Sequence, residues 1–220
     1  MAKKTALIIG AHSDDQVIGV GGTIAALAKK GYDTHITICS YGEASHPHKK
    51  KEEIRKAREK ESLQAEKILG GKTTTFLDLP ELNFLEHTQK LRNHVKKQLE
   101  EYNPEYVFTH SKQDPHADHK AVNKIVLNTV DETKTINTNV YVFEIWTPWR
   151  VRQRELPRLY IDITDTFEKK IKALHEFRTQ INIFTHSVLN NILYFKVYIS
   201  AAINGYRSNK TLAEMFYKVR

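Results

Sequence analysis

Short, uncharged apolar runs alternate along this chain with longer segments in which apolar residues recur every three or four positions. Uninterrupted apolar runs of that kind suit strands buried on both faces, and the helical recurrence suits elements packed against them. Ala6-Leu7-Ile8-Ile9 gives a first strand over Thr5–Gly10. Gly19, Gly21 and Gly22 open a small-residue helix over about Val17–Lys30, stopped by Gly31. Further strands are read over Asp33–Cys39, Thr73–Leu79, Tyr106–Thr109 and Val140–Ile145, with a β-like run over Arg158–Ile163. A helix over about Lys50–Leu69 takes its apolar side from Ile54, Ala57, Leu63, Ala65 and Ile68 and stops at Gly70-Gly71. Others are read over Thr88–Glu101, over Lys120–Asn128, and up to about Arg178 from Asp165, whose spacing to Glu168 suits a capping box. The last segment reads as mostly helical. This alternation predicts an α/β, Rossmann-like fold, a mostly parallel sheet with helices on both faces. No repeat or linker divides the chain, so residues 1–220 read as one domain.

Composition narrows the class without fixing it. With 220 residues, 40% hydrophobic and 27% charged, the chain can bury one sizeable core. A single cysteine, Cys39, sits in an apolar strand, which excludes an internal disulfide and a multi-cysteine zinc site. The net charge of +8 raises the question of an anionic partner. The lysines are spread out, however, and Lys49-Lys50-Lys51 runs straight into Glu52-Glu53, as on a solvated helix face. No nucleic-acid partner is expected. The most apolar stretch, Ile181–Ile203, is broken by Asn182, His186, Asn190, Asn191 and Lys196. It reads as buried helix rather than a membrane span, and the protein is expected to be cytoplasmic.

Candidate chemistry lies at two predicted strand ends. His12, Asp14 and Asp15 follow the first strand, and Asp114-Pro115-His116-Ala117-Asp118-His119 follows the strand Tyr106–Thr109. In open α/β sheets ligands bind at the carboxyl ends of strands. Neutral imidazole and carboxylate are both zinc ligands. If the two clusters meet, His12, Asp15 and His119 supply three ligands, the number that leaves a catalytic zinc an open position. Asp14 would then act as base toward water whose pKa zinc lowers to about 7. His116 would face the oxyanion of a tetrahedral intermediate, and Asp118 would orient His116 and favour its charged form. Each part has a plainer reading. Asp14 or Asp15 caps the following helix, Asp118 caps the helix at Lys120, His110 packs locally, and His46 and His48 lie on the surface. Nucleotide sites fit poorly: Gly19-x-Gly21-Gly22 lacks the dinucleotide spacing, there is no P-loop, and one cysteine cannot build a base-deaminase zinc site.

Residue for residue, these motifs resemble the LmbE-like, or PIG-L, family of zinc-dependent N-acetylglucosaminyl deacetylases. Ala11-His12-Ser13-Asp14-Asp15-Gln16 with Gly19 and Gly21-Gly22-Thr23 stands where that family has Ala-His-Pro-Asp-Asp-Glu, glycine, then Gly-Gly-Thr. His116-Ala117-Asp118-His119-Lys120-Ala121 is similar to its second motif, and Arg58, Glu61 and Leu69-Gly70 to its central helix. The resemblance implies one zinc ion per chain on His12, Asp15 and His119, with another divalent metal compatible. It implies Asp14 as general base, and His116 with Asp118 as the oxyanion-stabilising pair. It implies hydrolysis of an N-acetyl group on an amino sugar or sugar conjugate, releasing acetate. Arg58 would face sugar or phosphate, and Glu81 stands where the family often has an Asp near the sugar. The family often forms homo-oligomers. Ser13 for Pro and Gln16 for Glu are departures, and Gln cannot ionise. The alternatives carried forward are an amidase acting on a non-sugar amide and a non-catalytic sugar-binding member.

Overall fold

The computed structural model describes residues 3–43, 50–133, 138–145, 155–180 and 188–220. His46 and His48 lie outside them. Strands β1 (Thr5–Gly10), β2 (Asp33–Ile38), β3 (Thr73–Phe76), β4 (Tyr106–His110), β5 (Asn139–Phe143), β6 (Arg158–Asp162) and β7 (Ala213–Lys218) form one sheet in the order β3-β2-β1-β4-β5-β7-β6. The first five are parallel, whereas β7 runs antiparallel to both β5 and β6. Chain order reverses at β1, which pairs with β2 on one side and β4 on the other. That reversal opens a crevice beyond the carboxyl ends of β1 and β4. Both His/Asp clusters start there.

Helices α1 (Asp15–Lys29), α2 (Lys51–Leu69), α3 (Thr88–Tyr102), α4 (Ala117–Thr133), α5 (Phe167–Leu174) and α6 (Val188–Arg207) complete the described elements. Alternate residues of a strand face opposite sides. Ala6 and Ile8 of β1 join Val20, Ile24, Ala65 and Leu174 in one core, and Leu7 and Ile9 join Leu91, Val95, Val122 and Ile125 in the other. The sheet is therefore covered on both faces, as the unbroken apolar run of β1 predicts.

Several boundaries move, for identifiable reasons. α1 begins at Asp15 and α4 at Ala117, so Asp15, Asp118 and His119 occupy first helical turns rather than loops. Asp165 does not cap α5. The N-cap is Thr166, whose hydroxyl reaches the Gly22 carbonyl at 2.9 Å, while Asp165 pairs with Lys29. The final segment ends in a strand, β7, whose neighbours come from elsewhere in the sheet. On α2, Leu63 is exposed, whereas Arg58, Glu61 and Ser62 are buried. α6 seats Val197 and Ala201 inward and leaves Phe195, Tyr198, Ile203 and Tyr206 exposed. Among the described residues no helix is long and apolar enough to cross a membrane.

The middle of α1 is gripped by neighbouring elements. The Glu214 carboxylate on β7 accepts the Gly22 and Thr23 backbone N–H groups at 3.0 and 2.8 Å. Lys170 on α5 pairs with Glu214 at 2.6 Å and donates to the Ile18 carbonyl at 2.7 Å. Glycine permits this close approach. A Cβ at Gly22 would lie 2.8–2.9 Å from three atoms of Ile163, itself fully buried. Gly22→Ala should therefore destabilise the protein by about 1–3 kcal/mol, overriding the roughly 1 kcal/mol helix-propensity gain. Urea denaturation measures the difference, and an unchanged or raised midpoint would show that Ile163 yields freely.

Candidate active site

After β1 the chain turns sharply. The His12 backbone N–H donates to Asp15 Oδ2 at 2.8 Å, which brings the first-turn carboxylate of α1 back beneath the strand end. Ser13 is buried, and its carbonyl accepts both Gln16 Nε2 at 2.9 Å and Ser62 Oγ at 3.1 Å. Only a donor closes the first of these contacts. The Gln16 amide supplies it, whereas an ionised glutamate in the same place could not. Gln16 thus ties the loop after β1 through its amide nitrogen.

The clusters from β1 and β4 meet around Asp15. Its Oδ2 lies 3.4 Å from His12 Nδ1, 3.3 Å from His119 Nε2 and 3.2 Å from His110 Nε2. The His116 ring stands 4.9 Å from that of His12 and 4.7 Å from that of His119, between centroids. Metal-capable donors fall into two overlapping groups, His12 with His116 and His119, and Asp15 with His110 and His119. His110 is disfavoured as a ligand because its Nε2 accepts the Ala11 N–H at 2.9 Å, which occupies the lone pair. His119 is the opposite case. It is fully buried, and neither ring nitrogen closes a hydrogen bond, although carboxylate oxygens face both. Buried imidazole nitrogens left open toward a carboxylate are what a divalent cation would fill, so these residues fit a metal.

Charge supports the same reading. Burial works against the charged form of every group here, yet Asp15 is held well below the usual carboxylate range by the imidazoles that surround it. Burial is likewise overcome at His12, raised to about 10 by Asp118 and Asp15, and at His119, raised to about 9 by Asp15 and Asp114. Burial prevails at His110, lowered to about 4. The carboxylates around His12 and His119 favour positive charge at this point, which suits a cation. Burial, with Asp15 beside it, pushes the neighbouring Asp14 carboxyl up to about 6. Two adjacent carboxyls thus have separated affinities for the proton, the usual signature of different roles.

Three expected roles change. The Asp118 carboxylate does not orient His116. Its Oδ2 accepts from Leu82 N at 3.0 Å and lies 3.1 Å from His12 Nε2. What His116 Nδ1 receives is the Asp118 backbone N–H at 3.2 Å. Nor is the charged form of His116 favoured: burial, then His12 and His119, lower its pKa. Asp118, in the first turn of α4, has its carboxylate turned across to the opposite cluster, where it fixes His12. Arg58 is turned inward rather than open to solvent. It is 1% exposed, and Nη1 donates to the Tyr41 and Gly42 carbonyls, holding the loop after β2 against the site. Gly42, at φ 76°, leaves the room for it. Glu61 accepts from the Thr179 N–H and hydroxyl at 2.8 and 2.6 Å. Glu81 is half-buried in the loop before α3, where its charge acts on Arg58.

One residue has a role that sequence reading leaves unassigned. Asp114 is fully buried, with Oδ1 3.0 Å from His119 Nδ1 and 3.2 Å from His116 N, and Oδ2 accepting the Ile145 N–H at 2.9 Å. A carboxylate set behind the imidazole in this way raises its basicity. Its place five residues before His119 was the available signal.

Comparison with known proteins gives a family and a fold. The family model described as "PIG-L: GlcNAc-PI de-N-acetylase" matches residues 7–130. A 4-oxalmesaconate hydratase of Pseudomonas putida is 28% identical over 194 residues, covering 78% of this chain and 72% of that protein. Two solved structures share the fold. The 4-carboxy-2-hydroxymuconate hydratase of P. putida has a TM-score of 0.78 at 23% identity, covering 99% of this chain and 96% of its own. The N,N'-diacetylchitobiose deacetylase of Pyrococcus horikoshii has a TM-score of 0.77 at 22% identity, covering 98% and 84%.

Proposed function

The chain belongs to the PIG-L family of de-N-acetylases, and from that membership we propose that it is a zinc-dependent hydrolase removing the N-acetyl group of an amino sugar or sugar conjugate. The observation that carries this reading is the convergence on Asp15 Oδ2 of His12 and His119, with the raised Asp14 carboxyl alongside. His12, Asp15 and His119 would hold the ion. When bound, zinc supplies Lewis acidity and lowers the pKa of water toward neutrality. Asp14 takes the proton as water oxygen bonds to the acetyl carbon. His116, beside the two histidine ligands, donates to the developing oxyanion. The C–N bond then breaks, the proton passes to the departing amine, and acetate and a free amino sugar leave. Asp118 and Asp114 hold His12 and His119 in place throughout.

Metal content and acetate release test this together. The purified protein should carry about one zinc per chain, lost in His119→Ala, and should free acetate from a panel of N-acetylated sugars. Folded protein that takes up no divalent metal when zinc is supplied would defeat the reading. Acetate from a non-sugar acetamide alone would make it a general amidase, and sugar binding without turnover a non-catalytic member.

The hydratase similarity, which spans most of the chain, favours a second reading: the same base and metal adding water across a carbon–carbon double bond of a carboxylated substrate. Such a substrate needs a cationic partner for its carboxylate, and among the described residues Arg58 already gives Nη1 to the Tyr41 and Gly42 carbonyls. Loss of conjugated-enoate absorbance without acetate release would select this reading over the first.

A further inference from the structure

Leu82 carries two costs that glycine would avoid. Its φ is 63°, in the left-handed region, where a bulky side chain is strained. The other non-glycine residues with positive φ among those described are Asp78, Asn103 and Asn209, types whose short polar side chains tolerate it. Leu82 is also 70% exposed, with Leu85 three residues on at 59%, and these are the large exposed aliphatic residues of the described loops. The backbone at this point has a clear task, since the Leu82 N–H holds the Asp118 carboxylate that fixes His12. Phe84, 1% exposed with its ring 6.2 Å from that of His12, anchors the loop against the site. Glycine or asparagine would make the same N–H contact with less strain. The task of the backbone therefore does not account for the isobutyl group, which stands in water one hydrogen bond from the catalytic cluster.

We propose that Leu82, with Leu85, forms an apolar lip on the His12–Asp118 side of the site and determines specificity by contacting an apolar group of the substrate, an alkyl or acyl chain attached to the N-acetylated amino sugar. The proposal rests on the deacetylase reading above. Burial of a leucine against such a chain corresponds to a preference of about tenfold or more.

The test is calorimetric binding of methyl and hexyl N-acetyl-β-D-glucosaminide to zinc-loaded Asp14→Asn protein, with and without Leu82→Gly. The hexyl glycoside should bind about tenfold more tightly when Leu82 is present. In Leu82→Gly the preference should vanish, with methyl-glycoside affinity and thermal midpoint close to those of the parent. Leu82→Asn should behave as Leu82→Gly does. A hexyl preference that survives in Leu82→Gly, or that is absent from the parent, overturns the lip. A large fall of the thermal midpoint in both variants shows that the side chain is structural and overturns it as well. Binding of neither glycoside instead removes the amino-sugar reading, and the lip with it.

Discussion

Asp14→Asn should lower turnover by roughly 10²- to 10⁴-fold, the span typical of a lost general acid–base group, while zinc content and thermal midpoint stay close to the parent values. Asparagine keeps the shape of aspartate but cannot accept a proton. Asp14 and Asp15 are neighbours in sequence yet differ in surroundings. Asp15 faces His110 and His119 and is held ionised, as the proposed coordination requires, whereas burial and the charge of Asp15 push Asp14 up to about 6. A carboxyl poised near neutrality suits proton transfer, and one held far below it suits coordination. Steady-state kinetics beside elemental analysis separates the two roles. Loss of zinc together with activity would make Asp14 a ligand, and full activity would place the base elsewhere.

Glu214→Ala should cost about 3–5 kcal/mol of stability, the range for breaking a buried ion pair from one side. The side chains of Lys170 and Glu214 are 5% and 6% exposed, so neither is relieved by solvent. Removing the carboxylate leaves the buried ammonium uncompensated, with the Ile18 carbonyl as its remaining described partner, and takes an acceptor from the Gly22 and Thr23 amides. For a chain of this size the loss corresponds to roughly 6–20 °C in thermal midpoint. Lys170→Met should cost less, because Glu214 retains its two amide donors. The consequence reaches the site, since α1 carries Asp15 on its first turn and Asp14 at its N-cap. A Glu214→Ala midpoint within 2 °C of the parent would mean that α1 is held by apolar packing alone.

The uninterrupted apolar run Ala6–Ile9, the glycine stops at Gly31 and Gly70, and the β/α alternation state the sheet and its covering helices directly, because burial on both faces and chain reversal are local demands on residue type. Residue type likewise marked His12, Asp14, Asp15, His116, Asp118 and His119, since few other roles call for so many imidazoles and carboxylates beside two strand ends. β7 was not legible, because its pairing with β5 and β6 depends on segments that sequence order does not place beside it. The first turn of α4 was hidden because its chemistry-bearing residues read as loop, and the polar inner face of α2 because hydrophobic periodicity does not count a buried Arg58 or Glu61. Partnership was the larger gap. Whether the Asp118 carboxylate serves His116 two residues away or His12 across the crevice is a question of where two strand ends lie in space. So is the assignment of Asp114 to His119, and of Leu82 to the rim of the site. The sequence by itself determined the fold class and the inventory of reactive groups. Only the tertiary structure decided which group holds which, because hydrogen bonds and ion pairs act over about 3 Å, a range that only folding establishes between residues a hundred positions apart.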